Sequence, residues 1–160
     1  SSLSDWTVSQ FDPSLSWDDV AQIRKQWGGK LIVKGVLDVE DALAAVNVGA
    51  DAIVVSNHGG RQLDGAVSSI VALPPIVEAV NDRAEVWMDS GIRSGQDVLR
   101  AVALGAQGTM IGRAFLYGLG AKGQAGVRQA LDIIHKELDL TLGLCGQSDL
   151  SKVDSSILTK

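Results

Sequence analysis

The sequence predicts an α/β fold with a parallel sheet. Three observations carry that prediction. Four short apolar runs occur, near Leu31, Ala52, Val86 and Thr109, each followed by a segment with helix-start signals. The runs lack the in–out alternation of a half-exposed sheet and read as strands covered on both faces. The chain also repeats itself: Gly35-Val36-Leu37-Asp38-Val39-Glu40-Asp41-Ala42-Leu43 recurs 56 residues on as Gly91-Ile92-Arg93-Ser94-Gly95-Gln96-Asp97-Val98-Leu99. The match continues through Ala45-Val46 with Ala101-Val102 and Gly49-Ala50 with Gly105-Ala106. Recurring strand–helix units mean parallel strands joined by crossover helices. Four such units are half of a closed eight-stranded barrel, which takes about 250 residues. They could equally form an open doubly wound sheet, and spacing alone does not choose.

In chain order, Ser16 caps a first helix, with Asp19 placed to reach back and Gly28-Gly29 as its stop. Val20, Ile23 and Trp27 share one face of it. Leu31-Ile32-Val33-Lys34-Gly35 is the first strand, with Lys34 at its C-terminal end. Asp38 caps a helix running to Val48, and Ala52-Ile53-Val54-Val55 is the second strand. Ser68 to Val80 has helical character, but Pro74-Pro75 predicts one helix ending near Leu73 and a new turn beginning at the prolines. Val86-Trp87-Met88-Asp89 is the third strand, and Ser94 with Asp97 caps a helix to Leu104. Thr109-Met110-Ile111 is the fourth strand. The chain is then mostly helical to about Leu142, with a polar, irregular tail after Cys145. Residues 1–15 read as the end of a mobile loop, 16–145 as the folded unit and 146–160 as a tail.

Length and composition set the bounds. A chain of 160 residues, 46% hydrophobic and 21% charged, can bury one sizeable core. A net charge of -5 argues against nucleic acid or an anionic membrane as the main partner. One cysteine, Cys145, cannot close an internal disulfide, which fits a reducing compartment. No apolar run reaches the roughly 20 residues of a spanning helix. The expected location is the cytoplasm, with peripheral membrane attachment through the loop that precedes residue 1 as a further expectation.

Ser56-Asn57-His58-Gly59-Gly60-Arg61-Gln62 follows the second strand. The C-terminal ends of parallel strands are where such folds place their chemistry. Histidine exchanges protons near neutral pH, and arginine grips a carboxylate with a planar fork. A lone loop histidine would most simply cap backbone groups. A histidine three residues before an arginine, on a glycine turn, points instead to a base beside a carboxylate clamp. Asp89-Ser90-Gly91-Ile92-Arg93 and Gly112-Arg113 each join a strand end to a helix start. Glycines admit a ligand close to the backbone, and free N–H groups at helix starts favour anions. Two adjacent loops of this kind form a candidate phosphate site. Lys34, at the end of a buried strand, is either paired, snorkelling at the rim or aimed at an anion or an electron-rich ring. His135, in a charged helix, and Cys145 carry no assigned role.

Leu31-Ile32-Val33-Lys34-Gly35, Ser56 to Asp64, Asp89 to Arg93 and Gly112-Arg113 together resemble the FMN-dependent 2-hydroxy acid dehydrogenase and oxidase family, whose members act on lactate, glycolate and mandelate. The resemblance implies a (β/α)8 TIM barrel with this chain supplying about strands 5 to 8. It implies FMN as cofactor, a small 2-hydroxy acid as substrate, the N-terminal half of the barrel as partner, and a homo-oligomer of the complete enzyme. By the same resemblance His58 is the base, and Arg61 binds the substrate carboxylate. Lys34 lies at the flavin N1 and O2 edge, and Ser56 contacts the flavin. The backbone of Asp89, Ser90, Gly91, Ile92 and Arg93, with Gly112 and Arg113, holds the phosphate. The family's active-site tyrosines, its second arginine and the aspartate that orients its histidine belong to the first half of the barrel. They have no counterpart here, since Tyr117 lies past the fourth strand. An inosine-monophosphate-dehydrogenase-like barrel shares the phosphate loop but needs a cysteine at the barrel mouth. A half-barrel that binds flavin or phosphate without turnover is the non-enzymatic alternative.

Overall fold

A computed structural model describes Trp6, Gln10 and residues 12–159. The expectation for residues 1–15 falls largely outside that set. The elements are α1 (Trp17–Gln26), β1 (Ile32–Val36), α2 (Val39–Asn47), β2 (Ala52–Val55), α3 (Ser69–Val80), β3 (Glu85–Met88), α4 (Gly95–Ala103), β4 (Gly108–Thr109) and α5 (Arg113–Leu144). The strands form one parallel sheet in the order β1-β2-β3-β4. Each helix returns the chain to start the next strand beside the last, as a barrel requires and a doubly wound sheet does not.

The internal repeat is three-dimensional. Gly35 and Gly91 both have positive φ, 99° and 87°, just ahead of the helix caps. Asp38 accepts from the Glu40 amide, and Ser94 exchanges bonds with Asp97 in a capping box. Each cap starts a nine-residue helix, and Gly49 and Gly105 end the two turns with φ of 91° and 99°. The core lies between one face of the sheet and the helices. Ile53, Val55, Val86 and Met88 project from the strands against Ala42, Ala45, Leu73, Ile76 and Ala101. Leu73, Ile76 and Val80 are fully enclosed, each contributing about 1.5–3 kcal/mol of burial.

Pro74 and Pro75 do not divide α3, contrary to the sequence-based expectation. The helix runs unbroken from Ser69 to Val80. Both prolines lie on its exposed side, while Ala72, Leu73, Ile76 and Val80 anchor the other side in the core. Core packing along that buried side outweighs the local penalty. The expectation that every strand is covered on both faces holds for β2 only, where all four residues are buried. In β1, Ile32 and Lys34 are exposed, and in β3 Glu85 is exposed. These residues share the face turned away from the helices, where among the described strand residues Ala52 and Val54 of β2 are buried. Ile32 is 45% exposed there. The fourth strand is also shorter than expected, and Met110 and Ile111 lie beyond it.

The final helix is helical over nearly the expected span, but it kinks at Lys122-Gly123, where Gly123 has φ 58°. The kink folds it back so that the backbones at Gly118 and Gly126 touch. Gly95 is similarly pressed against the α5 backbone at Glu137 and Leu138, leaving no room for a Cβ. That contact, with the Gly95 amide donating to Glu137 Oε2 at 3.0 Å, fixes the start of α4 and the loop before it. The tail contains two short 3-10 turns, Leu150–Lys152 and Ser155–Ile157, the second lying against α4. Among the described residues no helix is long and apolar enough to cross a membrane.

Candidate active site

The C-terminal ends of all four strands open on a cleft of about 320 Å³. Lys34, His58, Arg61, Asp89, Ser90, Gly91, Ile92, Arg93, Gly112 and Arg113 all line it. Of the residues to which the family resemblance gives a site role, only Ser56 does not. It is fully buried beneath the cleft floor.

Lys34 lies just before a bulge in β1 at Gly35, where the pairing with β2 skips from Lys34 to Val36. Its Nζ lies 2.8 Å from Asp89 Oδ2 and donates to Ser56 Oγ at 3.0 Å. This pair crosses from the end of β1 to the end of β3 over the end of β2. The sequence points only to the Asp89 backbone, and the structure adds the contacts of its side chain. The available signal was an acid and a base at the ends of two strands that flank one common neighbour. Burial alone would raise the Asp89 pKa. Hydrogen bonds from Lys34, Ser56 and Ser90, with the Lys34 charge, outweigh it and leave the carboxyl below its ordinary value.

His58 begins a run of left-handed residues: φ is 56° at His58, 69° at Gly59 and 72° at Gly60. Such geometry is costly for a non-glycine residue and is held by surrounding contacts. The His58 amide donates to Ser56 Oγ at 3.1 Å. The Gly59 amide is shared between Asn57 Oδ1 and Ser90 Oγ, both at 3.0 Å. Asn57 is pinned in turn by its amide donating to Ser69 Oγ at 3.1 Å. The imidazole lies over Gly35, where a Cβ would sit 2.7 Å from His58 Cε1. His58 and Arg61 are both exposed to the cleft.

The anion cradle lies on the other wall. Ser90 and Gly91 are consecutive residues of positive φ, 70° and 87°. This backbone turn presents successive N–H groups to a concavity. Gly112 caps α5 without a side-chain partner, so the first amides of that helix point outward unpaired by the helix itself. No atom lies within 4 Å of the Cβ position of Gly91 or Gly112. Arg93 and Arg113 flank the opening, and Arg113 Nη2 donates to the Gly59 carbonyl at 3.3 Å, linking the cradle to the histidine loop. The open backbone, the helix start and two guanidinium groups suit a phosphate monoester dianion. No cluster of metal-ligating side chains occurs among the described residues. Cys145 is exposed at the end of α5, away from the strand ends, and does not supply the nucleophile that an inosine-monophosphate-dehydrogenase-like site needs.

The fold and site therefore define part of a parallel α/β barrel, with Lys34, His58, Arg61, Arg93 and Arg113 gathered at the C-terminal ends of its strands. The pattern of the FMN-dependent dehydrogenase family matches residues 1–160, and the chain belongs to that family. It is 57% identical over 155 residues to an L-lactate dehydrogenase of Caulobacter sp. (strain K31), covering 97% of this chain and 41% of that protein. It is 53% identical to an L-lactate dehydrogenase of Pseudomonas syringae pv. syringae (strain B728a), with the same coverage. Among solved structures it superimposes on mandelate oxidase with (S)-4-hydroxymandelic acid at a TM-score of 0.87 and 48% identity, covering 91% of this chain and 41% of that one. It also matches a mandelate oxidase variant holding a monooxide FMN adduct, at a TM-score of 0.83 and 48% identity, covering 88% of this chain and 45% of that one. The chain thus spans about two fifths of the curated relatives it matches, and its four strands form part of a (β/α)8 barrel.

Proposed function

We propose that the protein containing this chain oxidises a small L-2-hydroxy acid, of the lactate or mandelate kind, to the 2-oxo acid, with FMN as the oxidant. The observation that carries this reading is the convergence of Lys34, His58, Arg61 and the Ser90-Gly91/Gly112 cradle on one cleft at the strand ends. The residues present fit FMN: the left-handed Ser90-Gly91 turn and the α5 start would hold its phosphate, and Arg93 and Arg113 would balance the charge. When bound, FMN supplies a two-electron acceptor. Arg61 binds the substrate carboxylate and so sets which face of the carbinol carbon is presented. His58 takes a proton from the substrate and holds it on its imidazole. Lys34 carries the fixed positive charge that favours negative charge developing above it, and its ammonium is kept in place by Asp89 and Ser56.

The partly exposed face of the sheet supports the same reading. Ile32, Lys34 and Glu85 are exposed on the face that a barrel interior would cover. We assign the cover to the N-terminal half of the barrel, whose strands pair with the open edges of β1 and β4. The complete protein is further proposed to be a homo-oligomer. The test is anaerobic mixing of the purified, complete flavoprotein with lactate and with mandelate. Bleaching of the flavin by either supports the function, and a flavin indifferent to every 2-hydroxy acid refutes it.

A further inference from the structure

His58 and Gly59 expose two adjacent amides, and each is received by a serine hydroxyl from a different strand end. Ser56 Oγ, after β2, accepts from the His58 amide at 3.1 Å. Ser90 Oγ, after β3, accepts from the Gly59 amide at 3.0 Å. Ser90 Oγ donates to Asp89 Oδ1 at 2.8 Å, and Ser56 Oγ accepts at 3.0 Å from Lys34 Nζ, the ion-pair partner of the same carboxylate. A hydroxyl has one proton to give, and an ionised carboxylate can only accept. Asp89 therefore draws the Ser90 proton to itself and turns that oxygen's lone pairs toward the Gly59 amide, and it holds Lys34 where the ammonium donates to the Ser56 oxygen. Lys34 anchors the other carboxylate oxygen at 2.8 Å.

We infer that Asp89 is a positioning residue for His58, acting through Ser56 and Ser90 to hold the left-handed His58-Gly59 turn and so the imidazole above Gly35. This role belongs to the Asp89 side chain and is separate from the backbone cradle of residues 89–93. Its consequence for proton transfer rests on the function proposed above. An asparagine at 89 removes the negative charge that draws the Ser90 proton and anchors Lys34, so both arms of the hold on His58 and Gly59 are weakened.

The experiment compares Asp89→Asn and Ser90→Ala with the unsubstituted complete protein, each prepared with and without flavin. Amide hydrogen exchange is read at single residues. Asp89→Asn is expected to speed exchange at both His58 and Gly59 by about tenfold or more, and Ser90→Ala at Gly59 alone, with Val55 in β2 unchanged. With flavin bound, the anaerobic reduction rate in Asp89→Asn should fall by about tenfold or more while substrate Kd moves less than about threefold. Unchanged exchange at His58 and Gly59 would overturn the inference. So would equal acceleration at Val55, which would mean general loosening. Ser90→Ala decides the matter if Asp89→Asn does not fold. A protein that carries no flavin would count against the proposed function, whereas the exchange measurement still decides the positioning role.

Discussion

Lys34 Nζ and Asp89 Oδ2 lie 2.8 Å apart, joined over the buried hydroxyl of Ser56, so the ends of three successive strands are tied at one point. Lys34 remains 38% exposed and Asp89 17%. The pair is thus partly desolvated on the acid side and open on the base side. Lys34→Met should leave the carboxylate without its counter-ion and cost about 1–2 kcal/mol in urea unfolding of the complete protein. An unchanged unfolding midpoint would show that solvent replaces Lys34 without loss.

The same pair gives a pH dependence. The folded-state pKa of Asp89 is lowered, so its stabilising contribution is fully present above the ordinary carboxylate range and is lost as pH falls through the folded value. Stability should therefore decline only under acid conditions. In Lys34→Met this acid-dependent loss should be smaller, because the main influence that lowers the folded pKa is gone and burial alone raises it. Acid unfolding curves that superimpose for the two proteins would contradict this.

His58→Ala should leave the flavin bound and lower its anaerobic reduction by about 10²–10⁴-fold, the usual range for losing a general base. Near-normal bleaching would remove His58 from the proposed role.

Arg61→Lys keeps the charge and loses the planar fork. The expected loss in kcat/KM is about 1.5–3 kcal/mol, the scale of a charged hydrogen bond. Unchanged kcat and KM would show that the carboxylate is held elsewhere.

Gly35→Ala tests the seat of the imidazole. Gly35 has φ 99°, and an added Cβ would meet His58 Cε1 at 2.7 Å. The ring must then move, and the substituted residue bears about 1–2 kcal/mol of backbone strain. Reduction should slow with flavin content preserved, as followed by stopped-flow absorbance. A full rate would show that the ring does not depend on Gly35.

Much of this was legible in the residues. The 56-residue repeat announced two equivalent strand–helix units, and the glycines at 35 and 91 and the caps at 38 and 94 do occupy equivalent positions. The cleft residues were readable because each is fixed by local chemistry: a turn, a helix start, a charge at a strand end. Pro74-Pro75 misled because a dipeptide rule cannot know that the prolines face solvent while Leu73 and Ile76 hold the helix in the core. The Asp89 side chain was missed because its partners come from β1 and the loop after β2, contacts that only strand order creates. The exposed face of β1 follows from four strand–helix units being half of a barrel, although the apolar run itself does not say whether its cover lies in the same chain.

The most direct measurement is anaerobic titration of the complete purified protein with L-lactate and with (S)-mandelate, followed by its flavin absorbance, beside His58→Ala. The account predicts FMN as the released cofactor, stoichiometric bleaching by at least one of the two acids, and no bleaching at matched times in the variant. A protein without FMN, or one whose FMN is bleached equally well without His58, would contradict it.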